Sequence, residues 1–149
     1  KLAYHLLKEA YLMTDNIYGQ LKCSTYPFVL MDYLDELEKA LPNRNPEELE
    51  VEEKMLFESL PEHVKVYRGM GDAERQSGIF GISWTLDDKY ALNYVFYKKN
   101  EVKGTVGWRA EMEIDKNDIF AVWGVKGERK EIVINPKKCM DVVFMKVTK

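Results

Sequence analysis

Residues 124–136 read GVKGERKEIVINP, and the runs on either side of the turn in this stretch decide the fold. An apolar run (Ile119, Phe120, Ala121, Val122, Trp123) enters it, and a Gly-flanked charged segment (Lys126, Gly127, Glu128, Arg129, Lys130) follows. A second apolar run (Ile132, Val133, Ile134) leaves it. Two strand-like runs joined by a short Gly-containing loop predict adjacent strands with an exposed connection. Glu131 falls where loop becomes strand, so a sheet fixes its backbone while the carboxylate is free to face a cleft. A carboxylate held in that way stabilises positive charge that develops in a transition state. On this stretch alone, an edge strand that opens with a solvated Glu is the favoured reading.

Working outward, the strand pattern continues on both sides. Val106, Trp108, Ala110, Met112 and Ile114 alternate with Gly107, Arg109, Glu111 and Glu113, which predicts a half-buried strand. Residues 115–118 turn the chain, and 142–147 supply a last strand. Upstream, Val64, Val66 and Tyr67 predict a short strand ended by Arg68-Gly69, then a loop over 70–80. A strand over 81–85 follows, and then a helix from Asp87, a good N-cap, through Tyr97, with a polar turn over 98–103. The N-terminal part is helical in pattern: 2–13, 28–41 after the Tyr26-Pro27 break, and 47–60, whose acidic start suits a helix dipole better than a metal. Helices preceding strands predict an α+β fold with a mostly antiparallel sheet. One domain over 1–149 is expected, helical over 1–61 and β-rich over 62–149.

With 149 residues, 46% of them hydrophobic, the chain is long enough for one substantial core. The balance of 22 basic against 25 acidic residues, net −3, gives no footprint for sequence-blind nucleic-acid binding, although a local basic patch is compatible with it. No apolar run is long enough to span a bilayer and no leader pattern stands at the start, so a cytoplasmic protein without membrane partners is expected. A domain cut from a larger secreted toxin would read the same way. Cys23 and Cys139 have no metal-ligand spacing with His5 or His63, and no metal is expected.

Three short motifs carry chemistry. In Val66-Tyr67-Arg68-Gly69, a strand-end guanidinium suits phosphate and the Gly admits a ligand close to the backbone. Alone, an Arg paired with a neighbouring acid is the simpler reading. In Gly81-Ile82-Ser83-Trp84-Thr85, the Ser83 and Thr85 hydroxyls share one face while Trp84 takes the other. The simpler reading there is an ordinary strand with Trp84 in the core. The third motif is Glu131, whose strand places Glu131 and Val133 on one face and Ile132 and Ile134 on the other. The order Arg, Ser-x-Thr, late-strand Glu is far more restrictive than any one of the three.

That order, across roughly 64–136, resembles the mono-ADP-ribosyltransferase family, in the branch named for its Arg, Ser and Glu motifs. The resemblance implies a split antiparallel β core that holds NAD, used as co-substrate, in a bent conformation. It implies that Arg68 binds an NAD phosphate or the nearby ribose and that the Gly69 backbone holds the nicotinamide amide. Ser83 would orient Glu131, Thr85 would support the same face, and Glu131 would hydrogen-bond the ribose 2′-hydroxyl. Arg68, Ser83 and Glu131 are thus the expected catalytic set, with Gly69, Trp84, Thr85 and Tyr90 in the NAD site. Trp84 and Tyr90 are the candidates for stacking on nicotinamide, while Tyr94 is expected to pack its helix.

Members of the family that modify arginine place Glu two residues before the catalytic Glu, and here that position is Arg129. Glu128 stands one residue too early, which leaves a second assignment, Glu128 as the catalytic acid. The strand pattern favours Glu131. Lys126, Glu128 and Arg129 form the expected acceptor loop, and its positive character suits an anionic or nucleic-acid acceptor over arginine. The implied activity is transfer of ADP-ribose to a macromolecule, protein or nucleic acid, with water as a slow substitute, as in bacterial toxins, effectors or phage proteins. The alternatives are a catalytically silent NAD or ADP-ribose binder and an interaction domain using its helical face.

Overall fold

The computed structural model describes residues 51–101, 106–123 and 130–147. The helices expected over 2–13 and 28–41, Cys23, and the loop residues Lys126, Glu128 and Arg129 lie outside the described residues. The elements run α1 (Val51–Ser59), β1 (His63–Gly71), α2 (Asp72–Ser77), β2 (Ser83–Thr85), α3 (Asp88–Glu101), β3 (Gly107–Asp115), β4 (Ile119–Trp123), β5 (Glu131–Ile134) and β6 (Val143–Val147). Short 3-10 turns precede β4 and β6. The strands form one six-stranded sheet in the order β4-β5-β2-β1-β3-β6, antiparallel at every junction. This is the α+β class that the patterning predicts. Among the described residues, no helix is long and apolar enough to cross a membrane.

Local chemistry explains most boundaries. Asp87 Oδ1 accepts from the backbone N–H groups of Lys89 and Tyr90, so it caps α3 as expected. The helix then continues to Glu101, through residues expected as a polar turn; Lys is a good helix former, and Lys98 and Lys99 extend the helix. The segment expected as a loop over 70–80 is corrected twice. β1 extends to Gly71, and α2 follows with Asp72 and Glu74 in its first turn. Gly78 ends α2 at φ 68°, a left-handed position that glycine adopts without strain, and its N–H returns to the Arg75 carbonyl. Asp115 and Asn135 accept from Asn117 N–H and Lys137 N–H and so start the two 3-10 turns.

One face of the sheet carries the main core, with Val64, Val66, Trp84, Met112, Ile132 and Ile134 at its centre. Leu56 and Phe57 of α1 pack against it. Helix α3 lies on the opposite face: a side-chain carbon at Gly69 would stand 2.3 Å from the Ala91 carbonyl oxygen and 2.8 Å from Val95 Cγ2. Ala91 and Val95 are buried in that contact. Every residue of β4 is buried, so this edge of the sheet is covered on both sides.

The junctions differ in extent. β1 and β3 pair over nine successive residues, from His63 with Asp115 to Gly71 with Gly107. β1 and β2 pair at one point, Tyr67 with Thr85. The sheet therefore consists of two three-stranded halves, β4-β5-β2 and β1-β3-β6, joined at a seam. Directly opposed residues in an antiparallel ladder share a face. Trp123, Glu131, Thr85, Tyr67, Glu111 and Val143 thus form one row across all six strands, on the face that α3 covers in part.

Candidate functional site

Glu131 opens β5, as its position at the loop-to-strand boundary predicts. Its neighbours in the row are Trp123 on β4 and Thr85 on β2. Ile132 and Ile134 point into the core, so period-two alternation sends the Glu131 side chain to the opposite face. There it is half-buried, with Oε2 shielded from solvent. Beyond Thr85 in the same row stands Tyr67, which is also half-buried. Two strand spacings separate Glu131 from Tyr67, about 10 Å.

The two hydroxyls of Ser83-x-Thr85 do share this face, but Thr85 is the one directly opposite Glu131. Ser83 pairs with Val133 and stands diagonal to Glu131. The Thr85 hydroxyl accepts from the Asp87 N–H at 3.0 Å, tying the end of β2 to the start of α3. Trp84 takes the other face, 1% exposed in the core and edge-on to Phe80, with ring centroids 6.2 Å apart. That geometry withholds its ring from any ligand beside Glu131. Tyr90 lies in the first turns of α3, half-buried.

Arg68 follows Tyr67 in β1 and therefore points to the core face, away from Glu131. Its guanidinium is nearly enclosed, and Nε donates to Glu74 Oε1 at 2.7 Å and Nη2 to Glu74 Oε2 at 3.3 Å. Nη1 donates to the Ser83 carbonyl at 2.6 Å. Glu74 Oε1 also accepts the Gly81 N–H at 2.8 Å. Cys139 lies beside this pair, and burial pushes its thiol up to about 12, with the Arg68 charge opposing the shift.

Among the described residues, an arginine that does share the Glu131 face is Arg109, on β3. It pairs with Asp88 of α3 at 2.7 Å and with Glu111 at 3.1 Å, and its guanidinium carbon stands 5.4 Å from the Tyr67 ring centroid. The hydrogen bond to Asp88 holds the Arg109 guanidinium above its ordinary range. Tyr67, Glu74 and Arg109 are not among the site residues that the sequence motifs predict. For Arg109 the signal was present in the Gly107-Arg109-Glu111-Glu113 alternation, which put it on the polar face. Glu74 carried no comparable signal.

Gly69 adjoins the seam. The Ile134 N–H donates to the Ile82 carbonyl, so Ile82 and Trp84 direct their peptide groups to β5 and Ser83 and Thr85 direct theirs to β1. Across the seam, Tyr67 and Gly69 turn theirs toward β2, with Gly69 one step beyond the single paired position. Among the described residues, no cluster of His, Cys, Asp and Glu has the arrangement of a metal site. Fold and site together define an α+β arrangement with a half-buried carboxylate one strand away from the seam of an antiparallel sheet. Comparison of the chain with family models, curated proteins and solved structures found no match.

Proposed function

We propose that the chain is an NAD-dependent mono-ADP-ribosyltransferase with Glu131 as its catalytic carboxylate. The observation that carries this reading is the row Glu131–Thr85–Tyr67, which crosses the seam on the face opposite the core. A sheet of two halves joined at one pair is also the kind of core that the resemblance implies, and Gly69 stands one step beyond that pair.

The residues present fit NAD in part. A half-buried carboxylate beside the Thr85 position, with Tyr67 two strands away in the same row, suits a ribose, and the Gly69 peptide groups turned toward β2 suit a carboxamide. The Arg68 guanidinium is taken up by Glu74 and Ser83, so in this reading it does not serve as the phosphate ligand. In the reaction, the bond between nicotinamide and the ribose anomeric carbon breaks, and its electron pair goes to the pyridinium nitrogen. The sugar becomes oxocarbenium-like, as in glycoside cleavage. The Glu131 carboxylate stabilises that cation more than it stabilises neutral ribose, and the difference accelerates the step. An acceptor nucleophile then bonds to the anomeric carbon and releases its proton to solvent. Water in that place gives NAD hydrolysis.

Incubation with labelled NAD and a cell lysate tests the activity, and protease or nuclease treatment of the product identifies the acceptor class. Glu131→Gln lowers turnover by about 10²–10³-fold while NAD binding, followed by calorimetry, persists. A second reading, a silent NAD or ADP-ribose binder, draws on the placement of Trp84 and Arg68 in the core, which leaves fewer groups for chemistry. It predicts NAD binding with no turnover in the unaltered chain.

A further inference from the structure

The seam poses a physical problem. Two sheet halves that share one residue pair have few ladder hydrogen bonds to fix their register. The Ser83 carbonyl faces β1 at the position where the next rung belongs, and it is met by the side chain of Arg68. The Gly81 N–H, just before β2, is met by Glu74. Arg68 and Glu74 hold each other through two hydrogen bonds with side chains 13% and 7% exposed. A charge pair so enclosed gains strength from its low-dielectric setting only when its remaining groups are satisfied. Here they are satisfied by the two backbone groups that flank Ile82. Gly81 permits the approach: a side-chain carbon there would stand 2.3 Å from Arg68 Nη2 and 2.7 Å from Cζ.

We infer that Arg68 and Glu74 are positioning residues, a side-chain clamp across the sheet seam that holds β2 on β1 in place of ladder rungs. Glu74 belongs to α2 and Arg68 to β1, so the clamp ties a helix and a strand of one half to the first residues of the other. Because β2 pairs with β5 through Thr85 and Glu131, the clamp also sets where the Glu131 carboxylate stands relative to Tyr67 and Gly69. Its effect on turnover rests on the transferase reading; its effect on β2 does not.

Hydrogen exchange read at single amides, together with NAD turnover, tests the clamp in the full chain. In Arg68→Met/Glu74→Met both charges are replaced by apolar chains of similar length, a change that buried pairs often tolerate without loss of stability. The expected result is a smaller fall in thermal midpoint than for Arg68→Met alone, since only the Ser83 carbonyl and the Gly81 N–H lose partners, with the Gly81 and Thr85 amides exchanging about tenfold faster or more. Ala110 and Met112, in the β1–β3 half, stay protected. Gly81→Ala leaves both charges in place but displaces the guanidinium, and is expected to give the same local pattern if the double variant fails to fold. Glu74→Gln keeps an acceptor for Gly81 and restores part of the protection. Faster exchange spread evenly over the sheet, or none at Gly81 and Thr85, overturns the clamp. For turnover, kcat is expected to fall about tenfold with KM within about twofold, as for loss of an interaction felt mainly in the transition state. Equal turnover in parent and variants, with β2 loosened, overturns the link to Glu131. An inactive parent sinks the transferase reading, and the exchange data still decide the clamp.

Discussion

The two arginines of the central strands, Arg68 on β1 and Arg109 on β3, sit on opposite faces of one sheet and do different work. Arg68 is locked to Glu74, both nearly enclosed, with its third hydrogen bond spent on the Ser83 backbone. Arg109 is held by Asp88, whose side chain is 44% exposed, and by Glu111, while its ring neighbour is Tyr67. The core-face arginine joins backbone elements that the ladder leaves unjoined. The other ties the start of α3 to the sheet on the face that carries Glu131. The difference teaches that a guanidinium at a strand end is not a ligand site by virtue of its motif. Which face it takes, and what acid stands there, decide its role.

The largest effect expected from breaking this comparison comes from Arg68→Met alone. It leaves the Glu74 carboxylate buried without its cation, a change that costs about 3–5 kcal/mol. Chemical denaturation with an unchanged slope would read it as a fall in midpoint. A loss below about 1 kcal/mol would mean that Glu74 finds water, and the contrast between the two faces would vanish.

Next in size is Gly69→Ala, which tests how closely α3 lies on the Glu131 face. The added carbon meets a backbone oxygen at 2.3 Å, and backbone moves less readily than a side-chain tip. Overpacking of this kind costs about 1–3 kcal/mol. Gly71→Ala, where an added carbon meets nothing within 4 Å, serves as the control and costs less than about 1 kcal/mol even at a helix N-cap. Equal losses at the two positions would show that α3 can withdraw from the sheet.

Much of this architecture could be read from local pattern. The α+β class, the β4–β5 pair with Glu131 at its edge, the face sharing of Ser83 and Thr85 and the Asp87 cap all follow from alternation and capping over a few residues. The face of Arg68 was legible too. Val64 and Val66 set the core side of β1, and Arg68 continues that parity while Tyr67 takes the other side. On that side Arg68 meets Glu74, the pairing with a neighbouring acid that its motif suggests when taken alone. What lay beyond local pattern was partnership between distant residues. Nothing near residue 81 announces that its N–H will meet a carboxylate from residue 74. No feature of β2 says that it will join β1 at one pair while β3 joins at nine. Helix α2 was missed because six residues carry too little periodicity to stand out from a polar loop.

Arg109→Met gives the smallest effect and the sharpest form of the comparison. Its removal leaves Asp88 without a cation while Glu111 keeps Lys65 at 3.3 Å, and both acids reach water, so neither is stranded as Glu74 would be. Partly exposed ion pairs contribute about 0.2–1 kcal/mol, and the contact with the Tyr67 ring adds a similar amount at most. The expected loss is about 1 kcal/mol, shrinking as salt screens the Asp88 pair, whereas the Arg68→Met loss changes little with salt. Because Arg109 stands beside Tyr67 on the Glu131 face, NAD affinity is the more telling readout. If Arg109 neighbours the bound phosphates, the variant weakens NAD binding with a marked salt dependence, while the exchange of the β2 amides stays as in the parent. An Arg109→Met that loosened β2 as the Arg68 variants do would merge the two arginines into one network, and the division of labour between the faces would be lost.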